Sequence, residues 1–270
     1  MDDEPAYSQL LEEIHRRYGF DFRDYARSSL RRRLVNAMHD EQLPDLRALR
    51  ELVARSPEAM ERLLRALTVN VTSMFRDPEM YLGFRNEVVP TLRSYPFTRI
   101  WHAGCSTGEE VYSLAIVLHE EGLYDRCRIY ATDMNEFVLR AATEAVYPLP
   151  VLEAHAEDYR LAGGTAALSD YYGSRYGYGI VHHWLRRNIV FAHHNLVTDG
   201  SFNEFHVILC RNVMIYFNRR LQDRVHGLLF GSLRRFGTLV LGLKESLVGT
   251  VHERDYDAVD PRLKLYRRRA

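Results

Sequence analysis

The sequence predicts an all-α region followed by an α/β domain with a mostly parallel sheet and a small inserted antiparallel β-subdomain. Three observations carry this. From Ala6 to Leu67 apolar residues recur at helical spacing. From Phe97 onward short strand-like runs alternate with helical patterns, as successive βαβ units require. Between Tyr147 and Asn188 the alternation fails, and Gly163, Gly164, Gly173, Gly177 and Gly179 sit among tyrosines, which suggests a short helix plus an inserted hairpin.

In the first region Leu10, Leu11, Ile14 and Tyr18 mark one apolar stripe and Leu30, Leu34 and Met38 another. Leu49, Leu52 and Val53, then Met60, Leu63, Leu64 and Leu67, complete a small bundle, divided by turn signals at Gly19, Leu43-Pro44 and Ser56-Pro57. Thr68 to Glu79 is polar and aromatic where a plain linker needs neither, and its Arg76 precedes a Pro78-led helix start. Strands are expected near 98–103, 127–132, 188–193, 205–210 and 237–242, with helices near 108–121, 135–144 and 218–232. Tyr256 to Arg269 reads as a hairpin turning at Asp260-Pro261 and closing an antiparallel edge. The expected organisation is a helical domain at 1–69, a linker and connecting helix at 70–96, and an α/β domain at 97–270 with the insertion at about 150–188.

Bulk composition narrows the class of activity. Lys+Arg and Asp+Glu balance at 36 each, so no overall field draws the chain to nucleic acid or to an anionic membrane. The start, MDDEPAYSQ, has neither a basic nor an apolar leader segment, and no run approaches the ~20 apolar residues that span a bilayer. A cytoplasmic protein without membrane insertion is the expectation. Cys105, Cys127 and Cys210 are odd in number and lack CxxC spacing, which argues against disulfides and zinc. The adjacent pairs His182-His183 and His193-His194 would point to opposite faces of a strand, so no metal site is expected.

The most informative stretch is TRIWHAGCSTGEEVYSL, Thr98 to Leu114. Ile100 and Trp101 supply strand character, Gly104 and Gly108 permit close backbone approach, and Ser106 or Thr107 can cap the helix that follows. A second strand-like run ends in Asp133, ~25 residues beyond Gly108, near the spacing at which doubly wound folds bind ribose hydroxyls. The glycines are spaced GxxxG, without the GxGxxG that brings a pyrophosphate onto a helix, which disfavours a nicotinamide-dependent dehydrogenase. Glu109 and Glu110 would repel a phosphate; they suit a cationic cofactor such as S-adenosylmethionine, although a plain strand–turn–helix whose glutamates favour the helix dipole is the competing reading. The apolar run Phe205 to Cys210 stops abruptly at Arg211-Asn212, where open α/β sheets bind ligands.

Five segments, NVTSMFRD, WHAGCSTGEEVYSLA, ATDMN, HNL at 194–196 and CRNVMIYF, together resemble the chemotaxis receptor methyltransferase (CheR) family of S-adenosylmethionine-dependent protein-glutamate O-methyltransferases. The resemblance spans nearly the whole chain and implies a Rossmann-like class I methyltransferase domain behind the helical one. It implies that Asn70, Thr72 and Arg76 approach the cofactor from the linker, that Gly104 lines its loop, and that Glu110 and Asp133 hold its amino group region and ribose. Asn195, Leu196, Arg211 and Asn212 would surround the adenosine, while Arg76 and Tyr216 would act on the substrate carboxylate. The product would be S-adenosylhomocysteine.

Arg27, Arg31, Arg32 and Arg33, with Arg23 before them, concentrate positive charge on one helix. Such a run can be a solvated face; the resemblance instead implies a basic helix that engages the acidic coiled-coil helices of chemoreceptors. Some family members also capture a receptor C-terminal peptide as an added strand, and dependence on such a tether stays open for SRYGYGIVHHWLRR. The implied activity is formation of glutamate methyl esters in chemosensory adaptation. The alternatives are a methyltransferase of this fold with another substrate and a non-catalytic signalling module.

Overall fold

A computed structural model describes residues 4–68 and 72–270, so Asn70 lies outside the described residues. The chain forms two compact units, Met1–Asn70 with Tyr216–Val225, and Val71–Ile215 with His226–Ala270.

The first unit contains α1 (Glu4–Tyr18), α2 (Arg27–Asp40), α3 (Leu46–Arg55) and α4 (Pro57–Leu67). Helix starts follow side-chain chemistry: the Asp45 carboxylate accepts the N–H groups of Arg47 and Ala48 at 3.0 and 2.9 Å. Ser56 accepts from Ala59 at 3.1 Å, with Pro57 in the first turn where no N–H is needed. Leu10, Ile14, Leu30, Leu34, Leu49, Val53, Leu63 and Leu67 are buried, so the predicted stripes are the core, each side chain stabilising by roughly 1.5–3 kcal/mol.

A segment far along the chain completes this unit. The N–H of Ala26 donates to the Tyr216 carbonyl at 2.7 Å, and Tyr25 pairs with Phe217 as an antiparallel bridge, their rings edge-to-face at 4.9 Å. The Asn218 carboxamide donates to Asp24 at 2.9 Å. Besides the residues of the expected helical domain, this unit takes in Tyr216–Val225, a pairing between distant segments that leaves no trace in local periodicity.

The second unit opens with α5 (Pro78–Gly83), a π-helical stretch at Phe84–Val88 and α6 (Val89–Arg93). There follow β1 (Thr98–Ala103), α7 (Glu109–Glu120), β2 (Cys127–Asp133) and α8 (Glu136–Glu144), then β3 (Val146–Pro148), α9 (Leu149–Ala154), α10 (Ala156–Leu161), β4 (Tyr172–Arg175), β5 (Tyr178–Val181) and α11 (His183–Arg186). The chain closes with β6 (Ile189–His193), β7 (Phe205–Cys210), α12 (Arg219–Ser232), β8 (Leu233–Leu241), β9 (Tyr256–Asp260) and β10 (Leu265–Arg268).

The main sheet has the order β6-β2-β1-β7-β8-β10-β9, parallel except for β10, which runs antiparallel to both neighbours. Ile100, Trp101, Val207, Ile208 and Leu209 are fully buried, as central parallel strands covered on both faces must be. β1 and β7 are thus adjacent at the middle of a Rossmann-like sheet, and the loops at their carboxyl ends share one edge.

The insertion is a three-stranded antiparallel sheet, β3-β5-β4, where one hairpin was expected. The extra strand, Val146–Pro148, precedes the expected boundary near 150 and is too short to show periodicity. Glu120 at the end of α7 anchors this insertion by accepting the hydroxyls of Tyr159 and Tyr171 and pairing with Arg85. Among the described residues no helix is long and apolar enough to cross a membrane, and no cluster of His, Cys, Asp or Glu is arranged to hold a metal.

Candidate active site

The β1–α7 loop is built by glycine conformations. Gly104 has φ +72° and Gly108 φ +93°, a left-handed region that favours glycine; Gly108 is itself the residue that starts α7. The expected cap at Ser106 or Thr107 is therefore absent: the Thr107 hydroxyl instead donates to Glu109 at 2.7 Å, and Ser106 Oγ is buried without a partner. A Cβ at Gly104 would lie 2.4 Å from Val213 Cγ2, so this loop and the turn after β7 touch.

Asp133, at the end of β2, binds that loop. Its carboxylate accepts from the backbone N–H of Ser106 at 2.9 Å and of Asn135 at 3.0 Å and also from the Met134 backbone, and burial pushes its carboxyl above the usual carboxylate range against those donors. No lysine or arginine forms an ion pair with it among the described residues. Glu110 is buried and differs: it pairs with Arg211, whose guanidinium also binds Asp77 at 2.6 Å and donates to the Arg76 carbonyl at 3.1 Å. Burial raises the Glu110 carboxyl, while Arg211 and Arg76 pull it back toward the ionised form. The negative charge expected from Glu110 is thus largely neutralised, and Arg211 is held by carboxylates before any adenosine is considered.

The linker is fixed with unusual backbone geometry. Phe75 and Asp77, on either side of Arg76, have φ +52° and +56°, conformations that cost non-glycine residues of order 1 kcal/mol each. The neighbours compensate: Phe75 N–H donates to Ser113 Oγ at 2.8 Å, and its buried ring packs edge-on against Tyr81 and Tyr159. Arg76 is placed by the linker's shape and its neighbours' bonds. Thr72 lies partly buried at the linker's start.

At the end of β6, Asn195 is buried and its carboxamide oxygen accepts from Val197 N–H at 3.0 Å, so its side chain forms a turn beside buried Leu196. Asn212, after β7, has φ +61° and a buried Oδ1 without a partner. The turn around it is tied to Glu245, a buried carboxylate that the sequence reading missed because three of its four donors precede it by some thirty residues.

The first unit holds the remaining candidates. Arg33 is not on an exposed basic face: it is buried, donates to the Leu67 carbonyl, and lies over the Tyr216 ring at 4.6 Å. Its guanidinium is pushed below the ordinary arginine range by that burial. Arg31 pairs with Glu4 and sits over the Tyr7 ring at 5.2 Å, Arg27 pairs with Glu4 at 2.9 Å, and Arg32 is exposed. Of the four, Arg27 and Arg32 are the solvated ones.

Comparison with known families decides the assignment. Residues 70–260 match the CheR methyltransferase SAM binding domain, and residues 5–68 match the CheR methyltransferase all-alpha domain. The chain belongs to the CheR methyltransferase family. It is 48% identical over 238 residues to a Pseudomonas putida protein named "Putative methyltransferase Cher3", covering 88% of this chain and 87% of that one. It is 32% identical to chemotaxis protein methyltransferase 2 of Pseudomonas aeruginosa, over 91% of this chain and 88% of that protein. A solved Geobacter sulfurreducens methyltransferase in complex with S-adenosyl-L-homocysteine is 17% identical, with a TM-score of 0.34 over 63% of this chain, which spans about half of that structure (49%).

The cofactor of this CheR-family chain is S-adenosyl-L-methionine. The residues present suit it: Asp133 is an acid at a carboxyl-terminal strand end with no lysine or arginine ion pair among the described residues, and Ser106 Oγ and Asn212 Oδ1 are buried polar atoms without a hydrogen-bond partner.

Proposed function

We propose that this chain transfers a methyl group from S-adenosylmethionine to glutamate side chains on the cytoplasmic coiled-coil helices of chemoreceptors, forming methyl esters in chemosensory adaptation. What carries this reading is that both CheR modules are matched, the cofactor-binding domain and the all-α domain, alongside relatives named chemotaxis protein methyltransferase. A small-molecule enzyme would have little use for the second. The site of action would be the cytoplasm, where those receptor helices lie.

The bound cofactor supplies a methyl group on a sulfonium. Asp133 would hold the ribose and Glu110 the amino group region, with Gly104, Asn195, Leu196, Arg211 and Asn212 around the adenosine and Asn70, Thr72 and Arg76 approaching from the linker. A glutamate side chain has a reference pKa of ~4.3, so near neutral pH the acceptor is already a carboxylate and needs no general base. It needs placement in line with the methyl group, and water exclusion, because opposite charges neutralise each other as the bond forms. Arg76 and Tyr216 serve that placement: a guanidinium orients a carboxylate but also lowers its nucleophilicity, so their role is to position the acceptor.

Arg27 and Arg32 offer charge to an acidic receptor helix, while Arg33 supports Tyr216. A receptor C-terminal peptide would add to an outer strand of β3-β5-β4, which titration of such a peptide would reveal.

The test is incubation of the purified chain with labelled S-adenosylmethionine and receptor cytoplasmic domains, scored for base-labile methyl ester. Label appears if the reading is right, and Arg76→Ala and Tyr216→Phe slow its transfer with cofactor bound. Absence of base-labile label on any receptor domain refutes the substrate, and unchanged rates in both variants refute the assigned roles.

A further inference from the structure

Methyl transfer makes no direct use of Glu245, yet this residue is among the most heavily engaged in the second unit. Its carboxylate, 5% exposed, accepts four backbone N–H groups: Gly242 at 2.7 Å, Asn212 at 2.9 Å, Val213 at 2.9 Å and Met214 at 2.7 Å. Three of these donors are consecutive and wrap around Asn212, whose φ is +61°. Successive N–H groups in such a turn form a concave nest that favours an anion. In a phosphate-binding site the ligand would fill that nest; here the chain's own carboxylate fills it, with about four acceptor positions all used.

The side chain of Asn212 is thereby the part of the turn left uncommitted. Its Oδ1 is buried and has no hydrogen-bond partner. Gly242 fits the same contact, since a Cβ there would lie 2.7 Å from Asn212 N and 2.8 Å from Glu245 Oε2.

We infer that Glu245 is a positioning residue for cofactor binding: by filling the backbone nest after β7 it holds Asn212 in the left-handed conformation that leaves its carboxamide oxygen free for the cofactor. The inference rests on the cofactor role given to Asn212 above. Glutamine at 245 keeps the volume but places an amide NH2 against N–H donors, so at least two of the four bonds are lost.

Calorimetry with S-adenosylhomocysteine on the full chain tests it through four proteins: wild type, Glu245→Gln, Asn212→Ala and the double variant. Glu245→Gln is expected to raise Kd about tenfold and Asn212→Ala by a comparable factor. The double variant is expected to bind within about twofold of the weaker single variant, because both act through one side chain. In steady-state methylation Glu245→Gln raises KM for S-adenosylmethionine and leaves kcat within about twofold. A folded Glu245→Gln protein with wild-type Kd overturns the inference, as do losses that multiply in the double variant.

Circular dichroism and thermal unfolding establish that each variant is folded. Should Glu245→Gln fail that check, Gly242→Ala disturbs the same contact with the carboxylate intact. Its Kd is expected to rise in the wild-type background and not in the Asn212→Ala background; a wild-type Kd overturns the inference. Product binding needs no receptor, so a chain that binds S-adenosylhomocysteine and methylates no receptor refutes the proposed substrate and leaves this test readable.

Discussion

Asp133 and Glu245 are carboxylates at the carboxyl ends of strands of one sheet, Asp133 partly buried at the end of β2 and Glu245 buried just beyond β8, and both bind backbone N–H groups. Glu245 has spent its acceptor capacity on four donors, whereas Asp133 is bound by the backbone of Ser106, Asn135 and Met134 and forms no ion pair with a lysine or arginine among the described residues. Burial raises both carboxyls. The difference matches the roles proposed for them: the saturated group shapes the chain, and the one with acceptor capacity left can serve a ligand. Glu110 is a third case, a carboxylate settled by a guanidinium.

The largest expected effect tests that third case. Arg211→Ala leaves Glu110 buried without its cation and should destabilise the chain by about 3–5 kcal/mol, read from urea unfolding. A loss below 1 kcal/mol would mean that Glu110 takes another partner or a proton at little cost.

Asp133→Asn sharpens the comparison directly. It should weaken S-adenosylhomocysteine binding by about a hundredfold, roughly 2.7 kcal/mol, with an unfolding free energy within about 1 kcal/mol of wild type. Glu245→Gln should show the reverse weighting, with a stability loss of about 2–3 kcal/mol and the smaller effect on affinity. Equal weighting in the two variants would dissolve the distinction.

Acidification follows from the same difference. In the ribose role proposed for it Asp133 must be ionised to bind the hydroxyls strongly, and burial raises its pKa, so that role predicts affinity above the raised pKa that is lost as pH falls through it. The decline should begin at a pH where exposed carboxylates are still ionised, and Asp133→Asn should flatten it. Calorimetry across a pH series checks this; identical profiles in both proteins would assign the titration elsewhere.

The smallest effect is expected in the first unit. Arg27→Glu removes a mostly exposed pair with Glu4 and should change stability by less than about 0.5 kcal/mol and cofactor affinity not at all. Receptor methylation should fall several-fold in low salt and less in high salt. Salt-independent loss would mean that the residue acts through folding.

These two carboxylates also mark how far the sequence could be read. The place of Asp133 at the end of a strand was legible because a strand-like run stops on it, and the bundle stripes and central strands were legible because burial imposes period. Glu245 was not, since its partners Asn212 to Met214 lie on another loop and no local pattern announces a nest. The basic run at Arg31 to Arg33 shows the same limit. Composition reveals the charge, but only the fold shows that Arg33 faces Leu67 and Tyr216 while Arg32 faces solvent. Strand β3 and the Tyr216–Val225 segment escaped for the same reason, pairing across distance.

The three-stranded insertion is rooted on Glu120 and turns Val146, Tyr178 and Ile180 outward. Those outer residues can drift without repacking the domain beneath, because the inward ones, Tyr147, Leu152 and Tyr159 among them, are the part of the module that shares its core.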